Sequence, residues 1–510
     1  MPLDPFPTEI LTAEEMARAD RLTMDSGVPG TELMLNAATA LVSVVSRMLQ
    51  KSSGRRVLVL CGPGNNGGDG YVAARLLRQA RMRLRVGALT PRETLRGDAL
   101  EAAKAWDGPL EPAEGCSLEG VDIVIDALFG TGLARNIEGK AADLVRRLNH
   151  YRRQSGTRVV AVDIPSGIDG SSGAVRGVAV EADATVTFFR LKNGHLLLPG
   201  RLHCGEVTCA HIGIRAAVLT EIKPRTFVNA PGLWRKVLPL PRVDGHKYSR
   251  GHAVVVSGGF SFTGAARLSA HAALRAGAGL VTLASPRDAM AANAPALTSV
   301  MLREAEGPEG LAAVLSDARK NVVALGPGLG VGDATRRLVE TALSAAPPPS
   351  AYSRSVVLDA DALTSFAGDL EALRSLIGKA PGAVVLTPHA GEFARLFGDA
   401  DRAASKLDRA RRAAQESGAI VLLKGADTVV AAPDGRASIL GSAPPWLATA
   451  GSGDTLTGMI AGLLAQGMEP FAAASCAAWM HGRAATLFGP GLIADDIAAT
   501  LPAVWRELMG

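Results

Sequence analysis

The feature that most constrains this chain is a rhythm. Short continuous apolar runs, bounded by turn residues, alternate with helix-like segments. In the first half the runs are residues 57–60, 84–89, 121–127, 159–162 and 184–189; helical patterns cover 12–24, 31–49, 71–80 and 141–153. Strands that are apolar on both faces and separated by helices predict a parallel sheet covered on both sides. Thr12 followed by Glu15 predicts a capping box at the first helix. The rhythm weakens across 215–245, where Pro224, Pro231, Pro239 and Pro241 fall in a stretch with few periodic apolar positions. This stretch reads as a linker with one short helix. The alternation then resumes with runs at 253–256, 280–284, 322–325, 356–359, 384–387, 420–424 and 428–431, a helix at 265–278 and a helix-rich tail from 454. A chain of 510 residues exceeds the roughly 250–300 residues at which single cores stop growing. Two α/β domains are therefore expected, 1–222 and 223–510.

Bulk properties narrow the function. The net charge of +5 is spread along the chain, not clustered as nucleic-acid binding requires, and it suits anionic small molecules. Five cysteines make no disulfide framework. The stretch from His203 and Cys204 to Cys209 and His211 imitates a zinc motif, but on a strand Cys204 points away from Cys209, so a plain strand is expected. The N-terminus has early acids and no apolar secretion segment, and no uncharged apolar stretch has the length and bulk of a membrane span. A soluble, cytoplasmic protein is expected, without membrane or nucleic-acid partners.

The chemistry concentrates at the ends of the predicted strands. The first runs into Gly62-Pro-Gly64-Asn65-Asn66-Gly67-Gly68-Asp69-Gly70. Such a loop ahead of a helix suits a phosphate. It formally fits G-x-G-x-x-G, yet the next strand ends in Thr-Pro with no ribose-binding acid, which disfavours a conventional dehydrogenase. Two further strands end in Asp126 and Asp163, the second followed by Ser166. Ligands bind beyond the carboxyl ends of such strands, so Asn66, Asp69, Asp126, Asp163 and Ser166 are expected to converge, although each alone could be a cap or turn former.

The segments GPGNNGGDG, IDALFGTGL and VDIPSGIDG together resemble the NAD(P)H-hydrate epimerase family over about residues 12–215. The resemblance implies a Rossmann-like three-layer sandwich that interconverts R and S forms of hydrated NAD(P)H. It implies that Asn65, Asn66, Gly67, Gly68, Asp69, Gly130, Thr131, Gly132, Leu133, Ala134, Arg135, Asn136 and Asp163 contact the hydrated cofactor, and that Asn66, Asp126 and Ser166 hold a potassium ion. Oxygen donors suit a hard cation. Epimerisation needs a proton donor and acceptor. Asp126 and Asp163 are the candidates, and the sequence does not choose between them.

In the second half, Gly451-Ser452-Gly453-Asp454 precedes a helix, so backbone N–H groups can form an anion hole and Asp454 can accept a proton from an attacking hydroxyl. An ordinary glycine turn with a capping Asp is the bland alternative. There is no P-loop. With LGPGLG, LDADAL, LTPHAGEF and LKGADT, this motif resembles ribokinase-like enzymes and, within them, the NAD(P)H-hydrate dehydratases, over about 244–508. The resemblance implies a ribokinase-like α/β domain. Ala265, Gly328, His389 and Asp454 would contact the substrate, and Lys424, Gly425, Ala426, Asp427, Thr428 and Gly453 would hold the nucleotide. The S form would be phosphorylated at its ring hydroxyl by ADP or ATP with Mg²⁺, ADP being preferred, and phosphate then eliminated. A homo-oligomer is expected. The alternatives are a vitamin-type kinase fusion, against which LTPHAGE and the whole first half argue, and a non-catalytic nucleotide-binding regulator, which needs neither Asp454 nor Lys424.

Overall fold

The computed structural model describes residues 6–50, 55–345, 353–398 and 404–510. Two compact units divide at Thr226 and Phe227: Glu9–Thr226, and Phe227–Gly510 with Met1–Thr8.

The first unit is built on a parallel sheet ordered Glu111–Pro112, Arg83–Ala88, Arg56–Cys61, Ile123–Ala127, Arg158–Val162, Ala184–Phe188, Glu206–Ala210. The order reverses beside Arg56–Cys61, creating a crevice at the carboxyl ends of Arg56–Cys61 and Ile123–Ala127. The central strands bury nearly every side chain, as continuous apolar runs require. Thr12 and Glu15 form the expected capping box. The helix Gly30–Leu49 is long and apolar enough to cross a membrane by length and composition, although it carries Glu32 and Arg47. Its Leu33, Met34, Leu41 and Val45 belong to the core cluster under the sheet, which marks it as a core helix.

The helix after the first strand spans Asn65–Gln79, six residues longer at its start than the apolar pattern indicates. Asn65 to Gly68 therefore lie inside its first turn. Gly67 must lack a side chain because a Cβ there would sit 2.0 Å from Gly62 O; a Cβ on Gly62 would sit 1.6 Å from Leu128 O. These glycines let backbone segments touch.

The second unit centres on a sheet ordered Ala437–Leu440, Thr428–Ala431, Ile420–Leu423, Val384–Leu386, Ser355–Leu358, Val322–Leu325, His252–Val256, Leu280–Ser285, Met301–Glu304. All neighbours from Ile420–Leu423 onward are parallel, so their carboxyl ends share one edge. Thr428–Ala431 and Ala437–Leu440 are antiparallel additions. The supposed linker is structured. It holds a strand, Thr226–Val228, and the helix Pro231–Trp234. Trp234 is fully buried, packs edge-on against Trp479 at 5.6 Å, and donates its indole N–H to Asn229 Oδ1 at 3.1 Å. Prolines here mark short elements.

Candidate active sites

In the first unit a cavity of about 720 Å³ opens at the crevice. Of the residues singled out from sequence, Asn65, Asn66, Asp69, Gly130, Thr131, Gly132, Leu133, Ala134, Arg135 and Asp163 line it. Gly67 and Gly68 are buried behind it, and neither they nor Asn136, Asp126 and Ser166 are among its lining residues.

Asp163 sits at the end of Arg158–Val162 with a left-handed backbone, φ 62°. Lys192 Nζ donates to its Oδ1 at 2.6 Å, Thr187 Oγ donates to the same oxygen at 2.9 Å, and Thr131 Oγ donates to Oδ2 at 3.2 Å. Burial alone would raise the Asp163 pKa, but Lys192 and these donors outweigh it and hold the carboxyl below its ordinary value. His195 braces the pair: its Nδ1 accepts from the Lys192 backbone N–H at 2.9 Å, so Nε2 carries the proton and donates to Asp163 O at 2.8 Å. Burial, aided by Lys192, lowers the His195 pKa to about 4, consistent with a neutral ring.

Asp69 faces the same cavity in the opposite condition. Burial, reinforced by the charges of Asp163 and Asp20, pushes its pKa well above the usual carboxylate value. Asp20, also on the cavity wall, is raised to about 6, mainly by burial.

Asp126 is fully buried. Its Oδ1 accepts from Ser166 Oγ at 2.6 Å and Leu128 N–H at 3.3 Å, and its Oδ2 accepts from Ser166 N–H at 2.8 Å. Burial raises its pKa to about 6 against these donors. Asn66 Oδ1 lies close to Gly130, while the buried Asn66 Nδ2 has no hydrogen-bond partner.

In the second unit the implicated residues follow parallel strands. Gly328 follows Val322–Leu325, Asp359 follows Ser355–Leu358, His389 follows Val384–Leu386, and Lys424 follows Ile420–Leu423. Ala265 is the second residue of the helix Gly264–Arg275. Lys424 Nζ donates to Asp359 Oδ1 at 2.8 Å, and Thr457 Oγ donates to Asp359 Oδ2 at 2.7 Å. Burial would lower the Lys424 pKa, but Asp359 and Glu392 raise it and keep the ammonium charged. A Cβ on Gly453 would lie 3.3 Å from that ammonium, so Lys424 sits directly beside the glycine turn. Gly451 caps the helix Ser452–Ala465 in the left-handed region, φ 83°, with no side-chain capping bond. Asp454 is therefore not the cap. Its pKa is raised to about 6 by burial and then by Asp359, against the lowering effect of Lys424. His389, by contrast, is a helix N-cap: its Nδ1 accepts from Gly391 N–H at 2.9 Å and its backbone N–H donates to Glu392 at 2.8 Å. Asp427 is tied to Lys406 at 2.7 Å, and Thr428 closes its loop by donating to Gly425 O at 2.7 Å.

The model of the NAD(P)H-hydrate dehydratase family matches residues 253–501, and that of the YjeF-related protein N-terminus matches residues 30–194. The bifunctional NAD(P)H-hydrate repair enzyme Nnr of Moorella thermoacetica is 39% identical over 98% of this chain and 97% of its own length. This chain belongs to the bifunctional NAD(P)H-hydrate repair enzyme family. The Nnr repair enzyme of Escherichia coli K12 is 33% identical over 98% of this chain and 94% of its own. Among solved structures, the ADP/ATP-dependent NAD(P)H-hydrate dehydratase of Bacillus subtilis, co-crystallised with ATP/Mg²⁺, is 29% identical with a TM-score of 0.47, covering 55% of this chain and 98% of that one.

Four residues that the structure places at these candidate sites were not singled out from the sequence: Asp20, Lys192, His195 and Asp359. Lys192 and His195 stand in Lys-Asn-Gly-His just past an apolar strand, and two basic residues so placed were the available signal. Asp20 lies on an amphipathic helix among other surface charges and offers none.

Proposed function

We propose that the first unit epimerises hydrated NADH and NADPH with Asp163 as proton acceptor and Asp69 as proton donor. The chain as a whole is a bifunctional NAD(P)H-hydrate repair enzyme. The observation that carries the acid–base assignment is that two carboxyls in one cavity are pushed in opposite directions, Asp163 toward the ionised form and Asp69 toward the protonated one. Asp126 is given no proton-transfer role here, because it does not line the cavity. Asn66, Asp126 and Ser166 would instead hold potassium. Asn66, Asp126 and Ser166 all offer side-chain oxygen, which suits a hard monovalent ion. The ion would supply positive charge that orients the Gly130 loop.

In the second unit, Asp454 takes the proton from the ring hydroxyl of the S epimer. The hydroxyl oxygen attacks the terminal phosphorus of ADP or ATP, releasing AMP or ADP. Loss of that phosphate from the ring, with a ring proton, restores NAD(P)H. The first-turn N–H groups after Gly451 and the Lys424 ammonium meet the transferring phosphoryl charge. Asp359, Glu392 and Asp361 surround Asp454 electrostatically, and Mg²⁺ would enter with the nucleotide, its phosphate oxygens completing the coordination. The test is recovery of dihydronicotinamide absorbance from purified hydrated NADH, with ADP and ATP supplied separately. No recovery with either would overturn the reading; recovery with ADP in excess of ATP is expected.

A further inference from the structure

The buried residues of the helix Pro470–Phe488 are apolar or small, apart from Ser475 and His481. A histidine in such a place is stripped of water and needs a partner. His481 is 7% exposed, and its Nε2 lies 2.9 Å from Ser452 O. A carbonyl oxygen only accepts, so Nε2 carries the proton and donates. Burial lowers the ring's pKa to about 4 against the effect of that bond, and the Lys424 ammonium adds to the lowering, so the imidazole is neutral.

Ser452 stands between Gly451 and Gly453 at the start of the helix Ser452–Ala465. Glycine backbone is permissive, so contacts must set the direction of each peptide unit here. Two of them hold the flanks: Ser452 Oγ donates to Leu447 O at 2.9 Å, and Ser269 Oγ donates to Asp454 O at 2.7 Å. Neither reaches the peptide that joins Ser452 to Gly453. His481 does. In that planar trans peptide the Ser452 C=O and the Gly453 N–H point in opposite directions, so a donor fixed on the oxygen fixes the line of the N–H. The Gly453 N–H belongs to the first turn and has no acceptor within the helix. It has no backbone acceptor outside the helix among the described residues either. A Cβ on Gly453 would lie 3.3 Å from Lys424 Nζ, so this peptide stands beside the ammonium.

Resting on the reading above, in which the first-turn N–H groups meet the transferring phosphoryl charge, we propose that His481 is a positioning residue for dehydration: its imidazole N–H, held on Ser452 O, aims and polarises the Gly453 N–H toward the phosphoryl group. It acts through the peptide and not on the reacting atoms. A donor on the carbonyl draws charge through the peptide and strengthens the opposite N–H, more so away from water. The dipole is set before the reaction and costs no reorganisation as charge develops. Its effect therefore falls on the transition state more than on bound nucleotide, and so on kcat more than on KM.

The experiment uses three variants of the full chain. His481→Leu removes the donor. His481→Gln brings an amide N–H to about the reach of Nε2, and His481→Asn, one methylene shorter, does not. Dehydration of the S epimer of hydrated NADH is followed with ADP, and epimerisation by the same preparation is the internal control. His481→Leu is expected to lower kcat for dehydration about 10- to 10²-fold, with the KM for ADP and for the S epimer and the epimerisation rate unchanged. His481→Gln should recover most of the lost kcat, and His481→Asn should not. A native kcat in His481→Leu, a rise in either KM in place of the fall in kcat, or equal rates in the Gln and Asn variants would overturn the proposal. The last comparison decides even if His481→Leu does not fold. Failure of the unaltered chain to dehydrate with either nucleotide would overturn the functional reading and this role with it.

Discussion

Lys192 Nζ lies 2.6 Å from Asp163 Oδ1, and the lysine is completely buried. The ammonium has no other anionic partner among its described hydrogen bonds; its remaining acceptors are Thr187 Oγ and Phe188 O. Lys192→Met should therefore strip Asp163 of the charge that keeps it ionised. Burial then dominates and the Asp163 pKa rises. We expect epimerisation to fall at least about 10²-fold at neutral pH, with its acid limb moved to higher pH, while dehydration of the S epimer continues. Stability follows the same sign. A carboxyl held below its ordinary pKa stabilises the fold above the ordinary carboxylate range, and that contribution is lost as pH falls through its folded value. The variant should melt lower than the native chain at pH 7, with the gap narrowing in acid. Retained R-to-S conversion with an unshifted pH profile would remove the pair from the mechanism.

Asp69 has the opposite sign. Its folded pKa is raised, so its contribution favours the fold at low pH and is lost, becoming a burden, as pH rises through the folded value. Asp69→Asn keeps the shape but cannot ionise. The melting temperature of the variant relative to the native chain should therefore increase from pH 5 to pH 8. Epimerisation should fall by about 10²-fold or more, because an amide gives up no proton to the ring. Stability parallel to the native chain at every pH would show that Asp69 is an ordinary ionised carboxylate.

These pairings explain what could and could not be read from sequence. The central strands were legible because burial on both faces writes a continuous apolar run: Val322–Leu325 and Thr428–Ala431 fall where the pattern puts them. Edge strands such as Met301–Glu304 and Glu111–Pro112 are short and partly exposed, and so carry no such signature. The start of the helix Asn65–Gln79 was hidden because its first turn is glycine-rich, and glycine reads as loop until the contact with Gly62 O is known. Within the sites, Asp163 and Asp454 could be found from motifs. Lys192 reaches Asp163 across 29 residues of sequence, and Lys424 reaches Asp359 across 65. Spacing alone cannot reveal which charge answers which.

For the ion site, Asp126→Ala removes the acceptor for Ser166 Oγ, Ser166 N–H and Leu128 N–H together. The expected result is loss of epimerisation and of any dependence on potassium, with dehydration intact. A rate that still rises with potassium would place the ion elsewhere.

The last prediction concerns Asp454. A capping role for this residue is already untenable, since Gly451 is the N-cap and no side chain caps the helix. The role proposed for it is proton transfer. Burial and the neighbouring Asp359 bring its pKa to about 6, close to the working pH of a general base, while Lys424 keeps it from rising further. Dehydration should thus lose rate as pH falls through about 6, when the carboxyl takes up its own proton. Asp454→Asn should keep ADP binding, because the turn amides and Lys424 remain, yet lose turnover by at least about 10²-fold. An amide has nearly the carboxylate's shape but cannot accept the hydroxyl proton, so the oxygen stays a poor nucleophile toward phosphorus. Removing a raised-pKa carboxyl also relieves a buried charge, so the variant should melt at or above the native temperature at pH 8. Single-turnover dehydration of the S epimer at saturating ADP, followed across pH, distinguishes the cases: a flat, near-native profile in the Asn variant would defeat the assignment, whereas lost turnover with unchanged ADP affinity and an undiminished melting temperature is what a base at this position requires.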